Sequence, residues 1–174
     1  MTKFEIRLDQ VDSMALSREL QAVLDIPVHE LLARGRGRAK SLGLSFAGTV
    51  YPPEAWSLFR RGQTVLVDVR TIEERKYVGH VPQSLHLAWK FGTAMSKNPR
   101  FQREFEKLVP DKSAVILLLC RSGKRSSEAA EALTLAGYAN VFNVLEGFEG
   151  ELDGNQHRGE HDGWRHWGLP WIQD

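Results

Sequence analysis

The sequence predicts an α/β fold with a central, mostly parallel sheet flanked by helices. Two observations carry this. From Thr64 onward, short β-branched and apolar runs alternate with longer amphipathic stretches, the pattern of consecutive strand–helix units. The strongest run, Ala114–Leu119, is continuously apolar, as a strand covered on both faces of a parallel sheet must be.

The elements follow in order. Thr64–Val69 is β-branched and apolar and reads as a buried strand ending in Asp68-Val69-Arg70. Thr71–Tyr77 reads as a short helix capped by Thr71, with Glu73 and Glu74 in the first turn where the helix dipole favours them. Gly79-His80-Val81-Pro82 is a turn, and Ser84–Leu87 is a short strand. Pro99 suits the first position of a helix in which Phe101, Phe105 and Leu108 recur at helical spacing. After the strand at 114–119, Ser126–Ala136 reads as a helix stopped by Gly137, and Asn140–Val144 as a last strand.

The chain divides by pattern into residues 1–46, 47–150 and 151–174. The first segment holds a weak strand-like start and a helical stretch over residues 27–42. Arg34, Arg36, Arg38 and Lys40 give that stretch a basic, solvated face, while Gly35 and Gly37 weaken it. The last segment combines a polar loop over 150–163 with an aromatic tail, Trp164–Trp171, expected to fold back over the core.

Composition excludes several classes. A formal net charge of +1 in 174 residues gives no electrostatic footprint for nucleic acid or an anionic membrane. No apolar run approaches the ~18 residues needed to span a bilayer. Residues 1–10 lack the apolar stretch of a secretory signal, so a cytoplasmic location is expected. The single cysteine, Cys120, allows no internal disulfide and no cysteine-built metal centre. His157, His161 and His166, with Glu160 and Asp162, match no metal-ligand spacing and read as a polar loop. No cofactor or metal is expected.

A lone cysteine is ordinarily a small buried hydrophobe, but the neighbours of Cys120 argue otherwise. It ends the strongest strand and precedes a helix, the edge of a parallel sheet where ligands bind. The loop Cys120-Arg121-Ser122-Gly123-Lys124-Arg125-Ser126 aims backbone N–H groups at one point and surrounds it with cations, an arrangement that stabilises a thiolate. Gly123 permits the tight turn, and Ser122 and Ser126 add hydroxyls, Ser126 also as a helix cap.

This loop resembles the active-site loop of rhodanese-family sulfurtransferases. Three further segments resemble that family in the right order: Asp68-Val69-Arg70 followed by Glu73, the turn from Tyr77 through Pro82, and Gly137-Tyr138 through Val144-Leu145-Glu146-Gly147. The resemblance covers residues 48–150, and the tail Trp167–Trp171 is similar to that of some single-domain bacterial members. Gln83-Ser84 stands where the family pattern has Gly-Ala. The resemblance implies a rhodanese-like three-layer fold.

It also implies an activity. Cys120 would take sulfur from thiosulfate or another sulfane donor, form a persulfide, and pass the sulfur to a thiol or protein acceptor, or to cyanide in vitro. Arg121, Ser122, Gly123, Lys124, Arg125 and Ser126 would form the donor-binding cup. Asp68 and Arg70 would support it, as a structural ion pair at the strand end. Four residues separate Cys120 from Arg125, whereas the related phosphatase loop resembles Cys-X5-Arg. The shorter loop favours sulfur over a cysteine phosphatase. A sulfur-relay module working with a partner protein is the other alternative. His80 is expected to fix its turn, and Trp89 and Phe91 are candidates to line the pocket.

Overall fold

The computed structural model describes residues 18–174; the strand-like start read in the first residues lies outside them. Two helices open the described chain, α1 (Arg18–Leu24) and α2 (Val28–Ser41), followed by β1 (Gly48–Val50) and α3 (Pro52–Arg60). Then come β2 (Val65–Asp68), α4 (Ile72–Val78), β3 (Leu85–His86) and a small antiparallel ribbon of β4 (Lys90–Phe91) and β5 (Ser96–Lys97). Next are α5 (Phe101–Leu108), β6 (Ile116–Leu119), α6 (Lys124–Leu135) and β7 (Val141–Val144).

The main sheet has the order β1-β7-β6-β2-β3, and every pairing in it is parallel. Because side chains alternate across a strand, β6 feeds two cores. Leu117 and Leu119 point to one face, packing with Leu20, Leu24, Leu31, Trp56 and Leu58 of the first three helices. Ile116, Leu118 and Cys120 point to the other, among Phe101 and Phe105 of α5 and Ala129, Ala130 and Leu133 of α6. The α/β expectation is borne out, with helices on both faces of a central parallel sheet.

Several boundaries move, each for a local reason. The helix α5 starts at Phe101, leaving Pro99 outside: Asn98 Oδ1 accepts the Arg100 N–H (2.9 Å) and forms the turn that leads in. The helix α6 starts at Lys124, so Ser126 lies in its first turn and is not its cap; Gly123, in the left-handed conformation, holds that position. Neither α1 nor α3 is among the elements expected from the pattern; Pro52-Pro53 occupies the first turn of α3, where a missing N–H costs nothing.

Gly35 has a packing role in α2. A Cβ there would stand 2.8 Å from the Thr49 carbonyl oxygen, so its absence lets the helix lie directly on β1. The basic face is not wholly solvated either. Arg36 donates to Asn140 Oδ1 (2.7 Å), and Arg38 donates to the Thr49 carbonyl (2.6 Å) and pairs with Glu54. In the tail, Trp164 and Leu169 are buried, and Ile172 pairs main chain to main chain with His80.

Candidate active site

β6 delivers Cys120 to the C-terminal edge of the sheet and α6 begins four residues later. Between them the chain turns back on itself, and the sulfur of Cys120, a residue 1% exposed, becomes the focus of the turn. Sγ accepts the Gly123 N–H (3.1 Å). The Ser126 hydroxyl lies at the same distance from it (3.1 Å) and also 2.6 Å from Asn143 Oδ1. The Asn143 amide is oriented by its Nδ2–H, which donates to the Gly123 carbonyl (3.1 Å), so Oδ1 must face Ser126. A serine hydroxyl has one proton to give. With a neutral thiol it goes to Asn143, and the S–H can donate to Ser126. With a thiolate it turns to the sulfur.

The cup rests on the segment after β7. Gly147 has φ +66°, and a Cβ on it would lie 2.4 Å from the Arg121 carbonyl carbon and 2.5 Å from the Ser122 nitrogen. Phe148 N–H donates to the Cys120 carbonyl (2.8 Å) and Glu149 N–H to the Arg121 carbonyl (3.0 Å). Glu146, also at positive φ, anchors this turn to the tail by accepting the Gly163 N–H (3.0 Å) and the Trp167 indole N–H (2.9 Å).

Asp68 and Arg70 form a buried ion pair at the end of β2. Both side chains are fully buried, with Arg70 donating from Nε (3.0 Å) and Nη2 (2.7 Å) to the Asp68 carboxylate. Arg70 also holds the Gly79 carbonyl (2.7 Å) and stacks 4.2 Å above the Phe148 ring. Since Phe148 in turn holds the Cys120 carbonyl, the pair reaches the nucleophile through one aromatic residue.

The loop cations have uneven roles. Arg125, 9% exposed, clasps the Glu74 carboxylate with both fork nitrogens, Nη1 to Oε2 and Nη2 to Oε1, each 2.7 Å. Burial pushes the Glu74 carboxyl up, but the Arg125 hydrogen bonds and the Thr71 N–H outweigh it and hold the group below the usual glutamate range. Burial likewise lowers Arg125, and Glu74 more than restores it, with a smaller contribution from Cys120 nearby. Lys124 is exposed and 3.6 Å from Glu151. Arg121 has a buried Nε without a hydrogen-bond partner. Ser122 and Gly123, with Asn143 and Glu131, line a hollow of about 480 Å³.

Residues 51–151 match the Rhodanese-like domain. The chain belongs to the rhodanese-like domain family. It is 39% identical over 120 residues to an uncharacterized protein of Rickettsia rickettsii, covering 66% of this chain and 87% of that one. Against the thiosulfate sulfurtransferase GlpE of Haemophilus influenzae it is 32% identical over 101 residues, 58% of this chain and 84% of that enzyme. The crystal structure of Rv0390 from M. tuberculosis superposes with a TM-score of 0.65 at 37% identity, covering 75% of this chain and all of that one.

Other expectations meet different fates. Trp89 is buried against Phe101 and donates to Glu128 (2.8 Å), while Phe91 borders a hollow with Ile72 and His86. The His80 turn is fixed by main-chain bonds to Ile172 (2.8 and 2.9 Å); its Nδ1 is buried without a partner. Among the described residues no three His, Cys, Asp or Glu side chains gather as a metal site, and no helix is long and apolar enough to cross a membrane.

Sequence reasoning missed two members of the site. Glu74 was placed as a dipole-favoured residue, yet the Thr71-x-x-Glu74 spacing is that of a capping box, which fixes its carboxylate at the helix start, where it also meets Arg125. Asn143 had a plainer signal, a lone amide inside the apolar strand Val141–Val144. Buried amides are there to hold something.

Proposed function

We propose that this protein is a sulfurtransferase that carries a persulfide on Cys120. The observation that carries the reading is the sulfur itself: it sits at the focus of a loop one residue shorter than a phosphate-binding one, with the Gly123 N–H and Ser126 hydroxyl directed at it. In the first half-reaction the Cys120 thiolate attacks the outer sulfur of thiosulfate or another sulfane donor. A bond forms between Sγ and that sulfur as the donor's sulfur–sulfur bond breaks, and sulfite or a thiolate leaves with the electron pair. In the second, an acceptor attacks the terminal sulfur and the Cys120 thiolate is released. Covalent catalysis in two steps gives ping-pong kinetics. With no second cysteine in the chain, the acceptor is external, a thiol or a partner protein.

On this reading residues 47–150 carry the chemistry, residues 1–46 and 151–174 flank it, and the cytoplasm, where a lone thiol stays reduced, is its setting. The test is sulfur transfer to cyanide, followed as thiocyanate, in the wild type and in Cys120→Ser. Turnover in the wild type that is abolished in the variant supports the reading. Thiocyanate formed equally by both, or hydrolysis of an aryl phosphate with no sulfur transfer, overturns it.

The engagement of Arg125 by Glu74 favours the relay form of this activity, in which a thiol or protein persulfide is the natural donor.

A further inference from the structure

The sequence places three cations in the loop for a donor anion, but the structure leaves the best placed of them occupied. Arg125 presents a planar fork that matches an oxyanion, and both of its arms already hold the Glu74 carboxylate at 2.7 Å. The pair is well shielded, with side-chain exposures of 11% for Arg125 and 16% for Glu74, and Arg125 also touches Met95 Sδ of the β4–β5 ribbon (3.9 Å). Glu74 is itself held by the Thr71 N–H (3.0 Å) at the start of α4, so its carboxylate cannot swing away without breaking its own helix cap. Lys124, exposed and beside Glu151, offers little compensation.

We propose that Glu74 is a specificity-determining residue that selects the sulfur donor, disfavouring the thiosulfate dianion and admitting thiol-derived persulfides. This rests on the sulfurtransferase reading above. A dianion approaching Cys120 meets a cation whose hydrogen bonds are taken and a fixed negative charge beside it. An organic persulfide brings no sulfonate-like group to be bound. Its outer sulfur bonds to Sγ, its sulfur–sulfur bond breaks, and its inner sulfur leaves as a thiolate with the electron pair. The proton on the outer sulfur stays with the new cysteine persulfide. No outside oxidant or reductant is needed.

The experiment loads the full-length protein with thiosulfate or with the persulfide of mercaptoethanol, whose carrier is uncharged. The rate of sulfur gain on Cys120 is read by intact mass for the wild type, Glu74→Gln and Glu74→Asp. Removing the charge raises the thiosulfate-to-persulfide rate ratio by about ten-fold or more, the scale of one like-charge repulsion at a partly buried site. Glu74→Asp, which keeps the charge, leaves the ratio near that of the wild type. A purely structural role would slow both donors together and leave the ratio unmoved in both variants, which would overturn the proposal while the sulfurtransferase reading stands. If neither donor loads sulfur on the folded wild type, that reading itself falls.

Discussion

Gly147→Ala tests whether the turn after β7 sets the shape of the nucleophile loop. Two costs arise from the structure. The residue sits at φ +66°, where an L side chain costs about 1–2 kcal/mol. The new Cβ would also stand 2.4 Å from the Arg121 carbonyl carbon, against the 3.4 Å at which ordinary contact begins. The loop must therefore move by about 1 Å. Arg121 cannot yield freely, because its carbonyl accepts the Glu149 N–H and the preceding Cys120 carbonyl accepts the Phe148 N–H. The displacement passes to Ser122 and Gly123 and lengthens the Gly123 N–H contact to Sγ. A 1 Å misplacement in an organised site costs on the order of 100-fold in rate. The assay is stopped-flow persulfidation of Cys120 in protein whose circular dichroism and melting curve show a folded state. The expectation is a rate down by about 100-fold and a stability loss of about 2–4 kcal/mol, strain and overpacking together. Wild-type rate with wild-type stability would refute the view that Gly147 is the footing of the cup.

Three further outcomes are expected. Ser126→Ala removes one of two donors directed at the sulfur and releases Asn143, so persulfidation slows by about ten-fold or more, the worth of a hydrogen bond to a charged group; stopped-flow rates check it. Asp68→Asn leaves the fully buried Arg70 guanidinium without its counter-ion and costs about 3–5 kcal/mol in urea unfolding. His80 is pushed below the ordinary histidine value of 6.5, chiefly by burial and then by the charge of Arg75. A base with a lowered folded pKa leaves the unfolded chain binding more protons, so stability is full above 6.5 and falls as pH drops below it. Urea unfolding of the wild type is expected to show that acid-side loss, and His80→Gln a smaller one.

The sequence made the sheet and the nucleophile legible because both are local. The run Ala114–Leu119 announces its own burial, the loop from Cys120 to Ser126 is contiguous, and Thr71 caps the helix that directly follows it. The packed environment of the site was less legible. Glu74 and Arg125 lie 51 positions apart, and Ser126 and Asn143 lie on separate elements, so nothing in the spacing announces either contact. Gly35 looked like a weak point in a helix because its merit, closeness to Thr49 and Phe142, appears only when β1 and β7 are in place. At Gln83 the sequence held half of the answer. The family-like turn has glycine there, and the structure shows why, since Gln83 adopts φ +63°, the left-handed region where glycine is at ease.

The central claim is that Cys120 accepts a sulfur atom and gives it up. The most direct measurement is the intact mass of the full-length protein before a sulfane donor is added, after it, and again after cyanide, with Cys120→Ser treated alongside. The account predicts a gain of one sulfur atom in the wild type, its removal by cyanide, and no gain in the variant. A wild-type protein that stays unmodified with every sulfane donor while its thiol remains free, or a variant that gains sulfur equally, would contradict it.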